Sequence, residues 1–134
     1  MNARPFLDTN VIVYAFGSDD PRSARAEALL AAGGVISVQV LNEFVSVARR
    51  RQERGWDEID AAVDVLKVLL DPPLPLTVEL HDAARSIARD RGFSIYDSLI
   101  VAAALQARCS ILYSEDFQHG QTIGQLTIRN PFIK

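Results

Sequence analysis

The sequence predicts an α/β layered fold with a mostly parallel central sheet. Short apolar stretches with the length of strands alternate along the chain with longer stretches of helical periodicity. Such alternation is typical of layered folds in which helices connect the strands of a parallel sheet. The length of 134 residues fits one domain with a single sizeable core, and no linker interrupts it. We therefore expect a single domain over residues 1–134.

The first predicted strand is short and ends at a carboxylate. Phe6–Leu7 leads into Asp8, and the next apolar residues, Val11–Phe16, begin a helix. Thr9 and Asn10 lie between them and supply turn or capping groups. A carboxylate between two apolar stretches is costly to bury without a partner, so Asp8 is either a helix cap or part of a site.

The second helix and the second strand follow a turn. Pro21 is a suitable first helical residue for an amphipathic helix over Arg22–Ala32. Gly33 and Gly34 end that helix, and Val35–Ile36 then forms a brief buried strand.

Two long helices come next. Ser37 is the predicted N-cap of a helix that runs to about Arg54. Gly55 separates it from a second helix over Asp57–Leu70, in which apolar residues recur at helical spacing. Asp71, followed by two prolines, stops this helix.

The rest of the chain repeats the alternation of strands and helices. The predicted elements are a strand at Leu74–Thr77, a helix at Val78–Arg91 closed by Gly92, a helix at Ser94–Ala107, a strand at Ile111–Tyr113 and a last edge strand at Leu126–Ile128.

Composition excludes several classes of protein. Hydrophobic residues make up 49% of the chain and charged residues 23%, which is typical of globular domains and not of disordered ones. No apolar run is long enough to span a bilayer, and Asp8 and Asn10 interrupt the N-terminal apolar segment, which makes it a poor secretory signal. The single cysteine, Cys109, is predicted in or near the core and suits a reducing cytoplasm. We expect a cytoplasmic protein with no membrane partner.

The charge of the chain is unfavourable for nucleic acid at first sight. The net charge is −3, whereas phosphate contacts need basic surface. One local basic cluster consists of Arg49, Arg50, Arg51 and Arg54. It is interpreted either as a solvated helix end or as an RNA contact, and the sequence leaves both open.

Four carboxylates are candidates for a functional site. Ligands of open parallel sheets gather beyond the carboxyl ends of the strands, and Asp8 and Asp116 both follow predicted strands there. Asp97 lies in the first turn of a helix that is apolar nearly all round and therefore buried. Glu43 lies at the border of the apolar stripe of its helix.

Each carboxylate also has a purely structural interpretation. Asp8, or either of the two residues after it, can cap the following helix. Asp97 can complete a capping box with Ser94, although a cap leaves carboxylate oxygens free to bind an ion. Asp116 can be an ordinary turn residue, and Glu43 an ordinary residue of a solvent-facing helix edge.

Taken together, the four carboxylates predict a cation site, because neighbouring carboxylates repel unless a cation neutralises them or their pKa values rise. Ligands that are all oxygen favour Mg²⁺ or Mn²⁺ over zinc. Glu115 is a possible substitute ligand beside Asp116, while His81 and His119 are expected at the surface. Without the four carboxylates the formal charge is −3 + 4 = +1, so a metal-loaded site is compatible with a phosphate substrate.

Four short motifs in order resemble those of the PIN-domain ribonucleases, and more narrowly the VapC-type toxins of bacterial toxin–antitoxin pairs. The motifs are LDTNV near the N-terminus, LNEF in a helix, YDSLIVAAA in the buried helix and LYSEDFQHG after a late strand. The resemblance runs from about Arg4 to Phe132. It implies a three-layer α/β/α sandwich around a mostly parallel sheet.

The resemblance also implies a function and a set of residues. The function is Mg²⁺-dependent endonuclease activity on RNA, with Mn²⁺ as a possible substitute, through a metal-activated water that attacks a phosphodiester. The acidic quartet carried over from the family is Asp8, Glu43, Asp97 and Asp116, as catalytic residues and metal ligands. Thr9, Asn10 and Ser114 fall at flanking polar positions that orient ligands or water. The family further implies a cognate antitoxin and a homodimer.

Two alternatives stay open at this point. A phosphatase of the haloacid dehalogenase-like class would use Asp8 as a covalent nucleophile, but its second acidic position is Asn10 here, and Lys67 and Lys134 are poor candidates for its active-site lysine. A non-catalytic PIN-like module would bind RNA or a partner without cutting it. The intact acidic quartet argues against that module.

Overall fold

The computed structural model describes residues 3–17 and 19–133, and within them it contains six helices and four short strands. The strands are β1 (Phe6–Leu7), β2 (Ile111–Tyr113), β3 (Thr122–Ile123) and β4 (Leu126–Arg129). The helices are α1 (Thr9–Ala15), α2 (Ser23–Ala32), α3 (Val38–Arg50), α4 (Trp56–Leu69), α5 (Val78–Arg91) and α6 (Ile95–Gln106).

The four strands form one mostly parallel sheet in the order β1-β2-β4-β3, which confirms the predicted α/β class. β1 pairs with β2 and β2 with β4 in parallel, and β3 is antiparallel to β4. The prediction that the last strand lies at an edge is wrong, because β4 lies between β2 and β3. β3 was not predicted. It is only two residues long, and a two-residue turn with Gly124 at a φ of +57° joins it to β4.

Two predicted strands are reduced to single bridges. Val35 forms one parallel bridge with Phe6, and Leu74 forms one with Ser37. Each segment is extended but aligns with its neighbour at one position only, so neither continues as a strand. The bridges still matter, because they place the start of α3 beside the first strand of the sheet.

Three helix ends differ from their predicted positions. α1 begins at Thr9, two residues early, because the side chain of Asp8 caps it. Pro21 lies in a turn before α2, where Ser23 N donates to the carbonyl of Asp20 over 3.0 Å. α3 ends at Arg50 rather than near Arg54, because the backbone turns into the left-handed region at Glu53 (φ 51°).

The remaining helices agree closely with prediction. Ser37 caps α3 through Val40 N, and α5 ends at Gly92 in a left-handed conformation (φ 73°). α6 is buried along Ser98–Ala104, as its all-round apolar sequence predicted. Cys109 is 3% exposed and belongs to the core.

The described part of the chain contains no helix that is both long enough and apolar enough to cross a membrane.

Candidate active site

Asp8 follows β1 at its carboxyl end and is 2% exposed. Its Oδ1 accepts a hydrogen bond from Thr9 N over 2.7 Å, and its Oδ2 accepts one from Ser114 Oγ over 2.7 Å. Burial above all, and the negative charges of Asp116 and Glu43 to a smaller extent, raise the pKa of Asp8 to about 7, although the two donors lower it. Asp8 is therefore a helix cap that also lies among acidic neighbours.

Ser114 meets Asp8 because β1 and β2 are adjacent parallel strands that end together. Leu7 is in register with Tyr113, and Asp8 N donates to the carbonyl of Tyr113 over 3.0 Å. The next residue after Tyr113, Ser114, is fully buried. Its Oγ donates to Asp8 and accepts from Asp116 N over 3.0 Å. One serine thus connects two of the predicted site carboxylates.

Asn10 holds Asp116 from the first turn of α1. Its Nδ2 donates to Asp116 Oδ2 over 3.1 Å and lies 3.4 Å from Ser114 Oγ. Its Oδ1 is buried and has no hydrogen-bond partner among residues 3–17 and 19–133. A buried carbonyl oxygen without a donor is costly, so this atom suits a water or a cation ligand.

Glu43 projects from α3 and is held at both oxygens. Thr9 Oγ1 donates to Glu43 Oε2 over 3.0 Å, and Gln39 Nε2 donates to Glu43 Oε1 over 3.1 Å. Gln39 is 8% exposed and was not predicted as part of the site. Its spacing of four residues from Glu43 on one helix is a signal that could have found it.

Asp97 lies in the first turn of α6, where its backbone N–H donates to the Oγ of Ser94 over 3.1 Å. Ser94 is therefore the N-cap, as the sequence predicted. Burial raises the pKa of Asp97, and the negative charge of Asp116 raises it further. Asp97 is thus near enough to Asp116 for their charges to interact. Among the described residues, no hydrogen bond joins it to the other three carboxylates.

The chemistry of the donor set fits a hard divalent cation, although the carboxylates are not gathered around one point. Every candidate group is an oxygen, and the acidic neighbours that raise the pKa of Asp8 would be offset by a positive charge. In the described part of the chain, however, no three His, Cys, Asp or Glu side chains are arranged to hold one ion. Protein donors direct the oxygens of Asp8 and Glu43 instead.

Two cavities flank these residues. The first, which we call the Asp116 cavity, has a volume of about 460 Å³ and is lined in part by Thr9, Asn10, Glu43 and Asp116. The second, the Asp97 cavity, has a volume of about 480 Å³ and is lined in part by Gln39, Glu43 and Asp97. Glu43 and Ser46 line both cavities, so the two meet on the face of α3.

Glu115 is engaged elsewhere. The hydroxyl of Tyr14 donates a short hydrogen bond to it, and Arg22 Nη1 lies 3.2 Å from its Oε2. The guanidinium of Arg22 also stacks on the Tyr14 ring at 4.1 Å from the centroid. Burial, followed by the bond to Glu115, raises the pKa of Tyr14 to about 12. Arg22 also pairs with Asp20 over 2.7 Å, so it offsets the charge of Glu115 only in part. No sequence signal predicted this network.

The two histidines lie outside this cluster. His81 and His119 are both exposed, and His119 Nδ1 accepts a hydrogen bond from Asn130 N over 3.0 Å.

Comparisons with known proteins point in one direction. A family model described as PIN domain matches residues 6–122. The fold is similar to that of VapC20 from Mycobacterium tuberculosis, described as a sarcin–ricin loop cleaving toxin. The TM-score is 0.67 and the sequence identity 23%, and the match covers 83% of this chain and 88% of that one. It is also similar to VapBC2 from Rickettsia felis bound to a DNA fragment from its promoter, with a TM-score of 0.65, 20% identity, and coverage of 93% and 96%. No curated protein matches the sequence.

Proposed function

Since the chain belongs to the PIN domain family, we propose that it is a metal-dependent endoribonuclease that hydrolyses RNA phosphodiester bonds as the toxin of a toxin–antitoxin pair. The observation that carries the proposal is the buried Asp8–Ser114 contact at the carboxyl edge of the sheet, with Glu43 and Asp116 close enough to raise the pKa of Asp8. Such a cluster is expensive for a fold to keep unless a cation uses it.

The proposed ligands of the cation are Asp8, Glu43, Asp97 and Asp116, with Mg²⁺ as the ion and Mn²⁺ as its substitute. PIN-domain nucleases generally use divalent metal ions, and an all-oxygen set suits these two. When bound, the cation supplies activation of water and stabilisation of the extra negative charge on the phosphate in the transition state. A carboxylate oxygen that accepts one protein hydrogen bond keeps a second lone pair for an ion.

The chain's own polar residues set the orientation of those carboxylates. Ser114 and Thr9 N fix the two oxygens of Asp8. Asn10 fixes Asp116, and the hydroxyl of Thr9 fixes Glu43. Hydrogen-bonded ligands of this kind lose little conformational freedom on binding an ion, which makes the site more selective for geometry.

The biological setting is proposed from the neighbours in fold. VapC20 is named as a toxin that cleaves the sarcin–ricin loop, and VapBC2 is a complex seen with promoter DNA. By analogy we propose an RNA substrate, a cognate antitoxin and a homodimer for this chain, acting in the cytoplasm. We also propose that residues 1–134 act as one domain, since β1 near one end of the chain pairs with β2 near the other.

The test is cleavage of a panel of structured RNAs by purified protein with Mg²⁺, with Mn²⁺ and with EDTA. We expect cutting with either ion and none with EDTA. Asp97→Asn should slow it about a hundredfold while circular dichroism shows an unchanged fold. Asp90, an exposed aspartate of α5, provides the matched control: Asp90→Asn should cut normally. Cutting that persists in EDTA, or that is as fast in Asp97→Asn as in Asp90→Asn, would contradict the proposal.

A non-catalytic PIN-like binding module is the second candidate. One observation favours it: no three acidic, histidine or cysteine side chains of the described residues are set to hold an ion. Calorimetric titration with Mn²⁺ separates the two, because metal binding without turnover on any RNA supports the module. The haloacid dehalogenase-like alternative is not retained, since the chain belongs to a different family.

A further inference from the structure

The basic cluster at the end of α3 divides into two pairs with different roles. The guanidinium of Arg49 stacks on Trp56 at 5.0 Å from the ring centroid and donates to the carbonyl of Arg54 over 3.0 Å. Arg54 donates a short hydrogen bond to the carbonyl of Phe16. These two arginines hold the loop after α3 in place, and their donors are at least partly used by the protein itself.

Arg50 and Arg51 form the second pair, and both are exposed. Neither guanidinium makes a hydrogen bond or an ion pair with any other residue that the structure describes. Both guanidinium groups are therefore open to solvent beside the acidic cluster. The five donors of each are available to a ligand.

Each of these two arginines lines one of the two cavities described above. Arg51 lines the Asp116 cavity, and Arg50 lines the Asp97 cavity. The cavities meet at Glu43 and Ser46, so together they form one groove that passes over the acidic cluster. Arg50 is seven residues after Glu43, which places it about 10 Å further along α3 and on nearly the same face.

Tyr96 adds an aromatic ring to the second arm of this groove. It lines the Asp97 cavity beside Arg50 and Asp97, and it is 62% exposed. A tyrosine so exposed contributes little to the core. Among the described residues, no aromatic ring or cation packs against its ring. Its face is free to stack on a planar group.

Resting on the proposed function, we propose that this groove binds an unpaired stretch of RNA, with Arg51 and Arg50 on phosphates at opposite sides of the scissile phosphate and Tyr96 stacked on one base. Guanidinium groups pair with phosphates, and exposed aromatic rings stack on bases of single strands. Paired bases in an A-form helix cannot stack on a side chain, so Tyr96 can stack only on an unpaired base.

The first experiment measures binding apart from cleavage. The Asp8→Asn background is used so that the RNA is not cut during the measurement. Fluorescence anisotropy with a labelled RNA hairpin and Mg²⁺ then gives Kd at several salt concentrations. We expect Arg50→Ala and Arg51→Ala each to weaken binding about tenfold and to lower the slope of log Kd against log salt by about 0.7 to 1. Arg25→Ala, an exposed arginine of α2 away from the groove, is the matched control and should change neither.

The second experiment tests the stacked base. Tyr96→Ala should weaken binding by about fivefold to a hundredfold with an unchanged salt slope, and Tyr96→Phe should restore most of it, because stacking needs the ring and not the hydroxyl. A fully paired duplex of the same sequence should bind weakly and respond little to either change. Equal losses in Tyr96→Phe and Tyr96→Ala would overturn the stacking role.

The third experiment separates this inference from the function on which it rests. In the protein with Asp8 intact, the three alanine variants should raise KM for the hairpin with kcat changed less than about threefold. Metal-dependent cutting by the unmodified chain, together with variants whose KM and Kd equal those of Arg25→Ala, overturns the groove and leaves the nuclease standing. No cutting and no binding by the unmodified chain overturns both.

Discussion

Two serine–aspartate pairs stand at the starts of two helices, and they differ in how they are held. Asp8 begins α1 with its carboxylate as the cap, and Ser114 from a neighbouring strand holds its second oxygen. Asp97 lies inside the first turn of α6, where the serine, Ser94, is the cap. Asp8 is 2% exposed, whereas Asp97 is half-buried. The sheet converts an ordinary helix cap into a buried, pre-oriented carboxylate, and a helix start alone does not.

The largest expected effect is on cleavage, and it separates the two aspartates. Asp8→Asn should reduce the cleavage rate by about a thousandfold and Asp97→Asn by about a hundredfold, because the more rigidly held carboxylate contributes more to a pre-organised charge. Single-turnover assays on one RNA with Mn²⁺ give both values. Asparagine is a good helix cap at position 8, and Asp97 is half-buried and not a cap, so circular dichroism should show both variants folded. Equal losses would break the comparison.

The next effect is the dependence of stability on pH in metal-free protein. Burial holds the pKa of Asp8 near 7 in the folded state, against about 3.9 when unfolded. Between these values the folded chain keeps a proton that the unfolded chain has lost. The free energy of unfolding should therefore fall as pH rises from about 4 to 7, by up to about 4 kcal/mol from this group.

Urea denaturation in EDTA at several pH values measures this dependence, and Asp8→Asn should flatten it. An unchanged pH profile in Asp8→Asn would show that other groups dominate. Asp97→Asn is the matched control, because that carboxylate is less buried and should alter the profile less.

A smaller effect is expected from the serine that joins β2 to Asp8. Ser114→Ala removes a buried donor and leaves Asp8 Oδ2 without its partner, which should lower the free energy of unfolding by about 1–3 kcal/mol. The pKa of Asp8 should rise further in this variant, because a bond that lowers it is lost. Thermal denaturation at pH 7 and an NMR titration of Asp8 check the two expectations. A variant as stable as the parent would show that a water replaces the hydroxyl.

The smallest effect is expected at the other pair. Ser94→Ala removes the cap of α6, which should lower the free energy of unfolding by about 1 kcal/mol. Ser94 is exposed, so water can replace the lost hydroxyl at the backbone N–H of Asp97. Denaturation beside Ser114→Ala tests the ranking, and a larger loss in Ser94→Ala would reverse it.

The sequence predicts those parts of the molecule in which local signals and tertiary structure agree. Ser37 and Gly92 mark helix ends because a side-chain oxygen and a left-handed backbone satisfy the orphan groups there. The proximity of Asp8 to the residues after β2 follows from parallel strands that end at one edge. Such rules act over one element or one sheet edge, which is why they can be applied without coordinates.

The rest depends on long-range contacts that leave no local pattern. Val35–Ile36 has the composition of a strand, but it pairs with β1 at one position only, between Val35 and Phe6. β4 is not the edge strand because β3 lies outside it in the sheet, and β3, with two residues, is too short for a periodic signal. The capture of Glu115 by Tyr14 and Arg22 joins three parts of the chain, and only their packing brings it about.

Because β1 pairs with β2, the acidic cluster can form only after both strands have been synthesised. Asp8 and Ser114 are 106 positions apart along the chain, yet they share one hydrogen bond. During synthesis, Ser114 is the 106th residue that the ribosome adds after Asp8. Any nascent fragment that stops before residue 111 lacks β2, Ser114 and Asp116, and therefore has no assembled cluster. The order of the strands therefore sets the stage of synthesis before which the proposed nuclease site cannot assemble.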